Sequence, residues 1–150
     1  MTYDVSASRD IAAPVSKVWA MVADLARMGE WSPENRGGRW LNGASGPAQG
    51  VVFRGVNRRG PLRWSTRVTI DECVADRALE FSVTFGLSKV ARWRYEFEET
   101  HAGCTVTESW VDARNPLVRF AGQAMGSHDA AHTREAMTAT LAKLAEIAET

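Results

Sequence analysis

The chain has 150 residues, 45% of them hydrophobic, enough for one domain, residues 1–150, to bury roughly 70% of its unfolded surface without disulfide or metal staples. Eighteen Lys and Arg balance eighteen Asp and Glu, so no broad field draws the protein to nucleic acid or anionic lipid, and no nucleic-acid partner is expected. The longest apolar run, Val18 to Ala23, stops at Asp24, far short of the roughly 20 residues that span a bilayer, so no membrane insertion is expected.

Val5, Ala7, Arg9 and Ile11 alternate with Ser6, Ser8 and Asp10, a period of two that predicts a first strand with one mostly apolar face. Pro14 then opens a helix as its first residue, with Val15, Val18, Trp19, Val22 and Leu25 on one stripe and Gly29 closing it. From Trp31 to Gly50 the chain is rich in Gly, Pro, Ser and Asn, which reads as turns around a short strand near Arg39 to Leu41.

A meander follows. Val51, Phe53, Gly55 and Asn57 form one face of a strand, and Arg59-Gly60-Pro61 turns into Trp64, Thr66, Val68 and Ile70 of the next. Phe81, Val83 and Phe85 alternate with Glu80, Ser82 and Thr84, Trp93, Tyr95 and Phe97 with arginines and glutamates, and the last strand runs from Cys104 to Val111. Beyond Asn115-Pro116 the sequence is Ala-rich and helical, with Met137, Thr140, Leu141, Leu144 and Ala148 on one face and a break expected near Gly126. Cys73 and Cys104 lack CxxC spacing and no signal-peptide pattern begins the chain, so reduced thiols and a cytoplasmic location are expected.

The run Ile11-Ala12-Ala13-Pro14 before Val18-Trp19, then Glu30-Trp31-Ser32-Pro33, the Trp64 strand, Gly103 to Glu108, and Met137 to Leu141 with Leu144 occur in this order. Together they resemble the START/SRPBCC superfamily, which includes Bet v-like plant allergens, and particularly its bacterial branch labelled polyketide cyclase/dehydrase. The resemblance implies an α+β helix-grip fold: a curved seven-stranded antiparallel sheet wrapped around a long C-terminal helix, with two short helices after the first strand. Members include lipid-transfer domains, hormone receptors, aromatic cyclases and chaperone co-activators, so the superfamily predicts a cavity and leaves the reaction open.

Within that frame Phe53, Trp64, Phe81, Phe85, Trp93 and Tyr95 fall on the inward parity of their strands, either as ordinary core or as the wall of a ligand cavity. Small residues from Ala121 to Ala130 leave space above the sheet, and Phe120 and Met125 are candidate lid residues there. Asn57 offers an amide to the cavity or to solvent at its strand end. Glu108 lies between Val106 and Trp110 on one parity, and Arg9 shares a face with Ala7 and Ile11. In the helix-grip arrangement their strands are neighbours, so the two charges either pair at the cavity edge, which would hold Glu108 ionised, or are turned outward by a bulge.

His128 and His132 are four apart, but both project away from the Met137 face of a continuous helix, so a metal site is not expected. Arg54, Arg58, Arg63, Arg67, Arg92 and Arg94 fall on the outer parity, where Glu80, Glu96 and Glu98 offer partners. No catalytic residue and no cofactor is assigned. The reading is a monomer or homodimer that binds a small hydrophobic or aromatic metabolite or lipid. The rivals are a cyclase/dehydrase-type enzyme, with Glu108 exchanging protons, and a protein-interaction module of the co-activator kind.

Overall fold

The computed structural model describes residues 2–124 and 130–150. Its elements are β1 (Val5–Ile11), α1 (Val15–Ala23), a short 3-10 helix (Leu25–Glu30), β2 (Asn35–Trp40), β3 (Val52–Arg59), β4 (Leu62–Val74), β5 (Ala78–Phe85), β6 (Ser88–Thr100), β7 (Gly103–Asp112), α2 (Pro116–Ala124) and α3 (Ala130–Ala148). The seven strands form one antiparallel sheet in the order β1-β7-β6-β5-β4-β3-β2, the helix-grip arrangement the sequence implied. Among the described residues only the β1–β7 contact joins strands that are distant in sequence. It brings the N-terminus beside the last strand, while every other neighbour is a hairpin or meander partner.

The serine and threonine alternation of β1 and β7 has a direct cause in that pairing. On the outer face the Ser6 hydroxyl meets that of Ser109 at 2.9 Å, Ser8 meets Thr107 at 2.7 Å, and Thr105 donates to Asp10 at 2.6 Å. Cross-strand polar pairs of this kind set the register and leave the opposite parity for the core. Gly103 starts β7 at φ 150°, and a Cβ there would collide with the Ile11 carbonyl oxygen. Glycine therefore allows the end of β1 to close onto β7.

Two local expectations change. Pro14 precedes α1 instead of starting it: its φ of −58° and ψ of 141° leave Val15 as the first helical residue, and its carbonyl accepts from the backbone of Lys17 and Val18. The helix also ends at Ala23, and a bend at Asp24 leads into the 3-10 helix, which buries Leu25. Gly29 does not close α1. It leaves room for the Asn35 carbonyl, which a Cβ would approach to 2.7 Å. The expected break near Gly126 lies outside the described residues.

α3 lies against the inner face of the sheet with Thr133, Met137, Thr140, Leu141, Leu144, Ala145 and Ala148 buried. Toward its C-terminal end the packing is solid. Ile11, Val18, Val22, Cys104, Val106 and Leu144 are at most 1% exposed, and Trp19 stands edge-on to Phe97 at 5.4 Å. On the outer face Arg94 reaches Glu72 at 2.7 Å, Glu96 at 2.9 Å and Glu80 at 3.3 Å, the expected solvated ladder of alternating charge. Cys73 and Cys104 are both free. No helix of the described residues is long and apolar enough to cross a membrane.

Candidate functional site

Under the first half of α3 the sheet and the helix separate around a cavity of about 250 Å³. The sheet contributes Phe53 and Asn57 from β3, Trp64 from β4, Phe81 from β5, Trp93 and Tyr95 from β6, and Glu108 and Trp110 from β7. The roof is Thr133, Ala136, Met137 and Thr140, one face of α3 at helical spacing. The floor is therefore largely aromatic and the roof, Met137 apart, small or polar, because β-strand parity aims every second side chain inward while the helix offers Thr133, Ala136 and Thr140.

The rings are mutually braced. Phe81 stacks on Tyr95 with centroids 6.4 Å apart, Trp93 tilts against Trp110 at 6.3 Å, and Trp40 stands edge-on to Phe53 at 5.0 Å. Asn57 is half-buried and donates its amide to the Thr66 hydroxyl at 3.3 Å. Phe97, on the same parity, belongs to the solid end with Trp19.

Among the described residues Glu108 is the one buried side chain of a charged type, at 3% exposure. The Tyr95 hydroxyl donates to its Oε1 at 2.9 Å, and its Oε2 is closed to solvent with no partner. Burial pushes the carboxyl up to about 8, against the downward pull of the Tyr95 hydrogen bond. The Tyr95 phenol is itself driven well above its ordinary range by burial and by Glu108. At neutral pH this is a carboxylic acid inside an apolar chamber.

Arg9 does not join it. The register sets Ala7 opposite Glu108 and Arg9 opposite Val106, and the Arg9 side chain is exposed. One two-residue step along β1 thus separates the two positions, and Arg9 is left in water. The expectation that a guanidinium holds Glu108 ionised is overturned, and with it the expected direction of its titration.

Phe85 is 53% exposed and Phe120 72% exposed, and neither lines the cavity. Phe85 sits at the β5–β6 hairpin tip, past a register shift between Val83 and Thr84. Phe120 lies on α2, an element that contributes no residue to the cavity lining among the described residues. Met125 and His128 lie outside the described residues. His132 is half-exposed, 3.9 Å from Glu34 at the rim, and among the described residues no three His, Cys, Asp or Glu side chains converge as a metal site requires.

Several lining residues carry no signal by strand parity. Val90 lines the cavity beside Ala91, which shares the parity of Trp93, because the register shift in the β5–β6 pair gives consecutive residues the same side. Ser32 to Asn35, which read as loop, close one wall. Arg114 reaches the rim from beyond β7, clamped on Asp112 by contacts of 2.9 and 2.7 Å. Burial raises the Asp112 carboxyl, but Arg114 and Arg119 outweigh it and hold the group below its usual value. Thr133 was legible in principle, four residues before Met137 on the inward face of α3, as were Val68 and Val83 on the parity of Trp64 and Phe81.

Comparison with known proteins gives a consistent assignment. A family model described as polyketide cyclase / dehydrase and lipid transport matches residues 2–149. No curated protein matches the sequence. Among solved structures, a polyketide-cyclase-like protein of Corynebacterium glutamicum is 32% identical over 97% of this chain and 84% of its own, with a TM-score of 0.56. A protein of Nitrosomonas europaea is 16% identical over 98% of this chain and 96% of its own, TM-score 0.71. The di-domain ARO/CYC BexL of the BE-7585A biosynthetic pathway is 21% identical over 97% of this chain and 50% of its own, TM-score 0.69. The family match spans nearly every residue that builds the sheet, α3 and the chamber between them: the chain belongs to the polyketide cyclase/dehydrase and lipid transport family.

Proposed function

We propose that the protein binds a small hydrophobic or aromatic molecule in the chamber between the sheet and α3, as a non-covalent carrier or sensor. The observation that carries this reading is the 250 Å³ cavity with Trp64, Phe81, Trp93 and Trp110 in its wall. Such surfaces supply affinity by burying ligand area, while a few polar groups fix orientation. The volume lies a little below the roughly 300 Å³ at which drug-sized pockets begin, which favours a one- or two-ring ligand over a long-chain lipid. The family description, polyketide cyclase / dehydrase and lipid transport, supports an apolar ligand in general. We read the protein as a cytoplasmic monomer or homodimer whose partner is that small molecule.

Ligand entering the chamber must change tryptophan emission, and Trp93→Ala must weaken binding by about 1 to 3 kcal/mol through lost aromatic contact. Native mass spectrometry of protein purified from its own host identifies the ligand class if one is retained. A panel of bicyclic aromatics that leaves both the emission and the melting temperature unchanged would count against the reading.

A second reading, a cyclase/dehydrase-type enzyme, is favoured by Glu108. A carboxyl that titrates near neutrality can exchange a proton with a carbon or oxygen of a bound reactive chain. The ARO/CYC relatives come from biosynthetic pathways, and turnover of a polyketide-like chain that Glu108→Gln abolishes without loss of binding is the test. The interaction-module reading draws on the exposed Phe85, Leu87, Leu117 and Phe120, but an interior left open argues for a ligand.

A further inference from the structure

The polar atoms of the chamber point to a more specific ligand chemistry, which rests on the small-molecule reading above. Glu108 lines the cavity at 3% exposure. Its Oε1 is taken by the Tyr95 hydroxyl at 2.9 Å, whereas its Oε2 has no partner. A buried oxygen left so costs free energy unless something fills its hydrogen-bonding capacity. The phenol donates to Oε1, so the proton of the neutral acid belongs on Oε2, which then is a donor without an acceptor.

Among the described residues nothing lies in place to neutralise an anion there. From β1, Ala7 lies opposite Glu108; from β6, the facing group is Tyr95. From α3 the cavity receives Thr133, Ala136, Met137 and Thr140. The charged side chains that share the cavity, Glu34, Arg114 and His132, belong to its rim, with Arg114 committed to Asp112 and His132 beside Glu34. Arg9 is exposed on the next strand. Burial alone raises the carboxyl to about 8, with no charged neighbour contributing.

We propose that Glu108, in its neutral form, is the polar anchor of the chamber, and that the ligand is an uncharged, mostly apolar ring molecule whose carbonyl or ether oxygen accepts a hydrogen bond from it once the side chains that close over its Oε2 in the empty chamber shift aside. A ligand carboxylate is disfavoured twice, by desolvation in the aromatic wall and by repulsion as Glu108 ionises. A hydrocarbon of the same shape fills the wall but leaves Oε2 unpartnered. The anchor also makes uptake pH-dependent: above about 8 the carboxylate becomes a second acceptor facing the first.

Three probes of nearly one shape separate these possibilities in the full-length protein: acetylnaphthalene, its hydrocarbon isostere isopropenylnaphthalene, and naphthoate. Binding is read by tryptophan fluorescence and calorimetry at about pH 6 and about pH 9.5, on either side of the Glu108 titration. The ketone should bind about tenfold tighter than the hydrocarbon at the lower pH, with naphthoate weakest, and the preference should collapse at the higher pH. Glu108→Gln, which keeps a donor, should retain the ketone preference at both pH values. Glu108→Leu should lose it while still binding the hydrocarbon, and the Tyr95→Phe/Glu108→Leu pair gives the same reading should the single variant fold poorly. Equal affinity for ketone and hydrocarbon, tightest binding of naphthoate, or a preference that survives in the leucine variants overturns the anchor while leaving the cavity reading intact. If none of the three probes binds, the cavity reading itself fails, and the anchor with it.

Discussion

α3 covers two ends of the same sheet, and the two ends are built differently. At the C-terminal end of the helix, Leu141, Leu144, Ala145 and Ala148 meet Ile11, Val18, Val22, Phe97 and Val106 in a core at most 6% exposed. At the other end Met137 joins a small buried cluster with Val5, Ala91 and Trp110, while Thr133 and Ala136 face Trp64, Trp93 and Glu108 across open space. The solid end has α1 as an extra layer, which supplies Val18, Trp19 and Val22 to fill the gap. Among the described residues the hollow end has no such helix, and Thr133 and Ala136 are too short to reach the floor. One sheet and one helix thus give stability at one end and a chamber at the other, because a third element fills only half of the cleft.

The comparison breaks most easily at the solid end. Leu144, 0% exposed, should be among the costliest truncations: Leu144→Ala is expected to lose about 3 kcal/mol in denaturant unfolding, the transfer loss plus a cavity the neighbours cannot close. A loss below about 1 kcal/mol would show that this end also tolerates space.

Filling space sharpens the contrast. Ala145 is 1% exposed in the solid end, whereas Ala136 roofs the chamber. Ala145→Phe should cost about 2 kcal/mol or more by overpacking, and Ala136→Phe under about 1 kcal/mol because its ring has a void to occupy. The second variant should nevertheless lose the binding of aromatic probes. Equal destabilisation by the two substitutions would remove the distinction.

Glu108 lets the hollow end be followed by pH. The folded state holds its proton up to about 8, whereas the unfolded chain releases it near the ordinary 4.5. Between those values the folded state binds more protons, so stability falls as pH rises, by up to about 1.4 kcal/mol per pH unit, and is insensitive to this group outside the window. Glu108→Gln should flatten that slope, with the melting temperature over the same pH range as the measurement. A wild-type profile that rises through the window would mean that a cation compensates the carboxylate. The smallest effect is expected at Arg9: exposed and away from Glu108, it should change stability by less than about 0.5 kcal/mol when replaced by Ala, with the Glu108 slope unaltered.

Hydrophobic period and turn residues in the amino-acid sequence were enough to determine the strand and helix order, the inward parity of Phe53, Trp64, Phe81, Trp93, Tyr95 and Trp110, and the face of α3 that turns to the sheet. These are local properties: a period of two or of 3.6 sets which side chains share a face, whatever the element packs against. Parity also placed Glu108 on the inner face, but it cannot state which partner meets it. That depended on the β1–β7 register, which set Ala7 opposite Glu108 and left Arg9 two residues along in water.

The tertiary structure alone decided three further things. The register shift in the β5–β6 pair brought Val90 and Ala91 to the same side and left Phe85 at an exposed hairpin tip. The packing of α1 and the segment Ser32 to Asn35 chose which part of the cleft is filled and which is walled off. Desolvation, a property of the assembled surroundings and of no residue singly, turned Glu108 from an expected anion into an acid that keeps its proton to about 8. Periodicity reports the direction of a side chain, whereas its charge state depends on how many layers of apolar matter finally separate it from water.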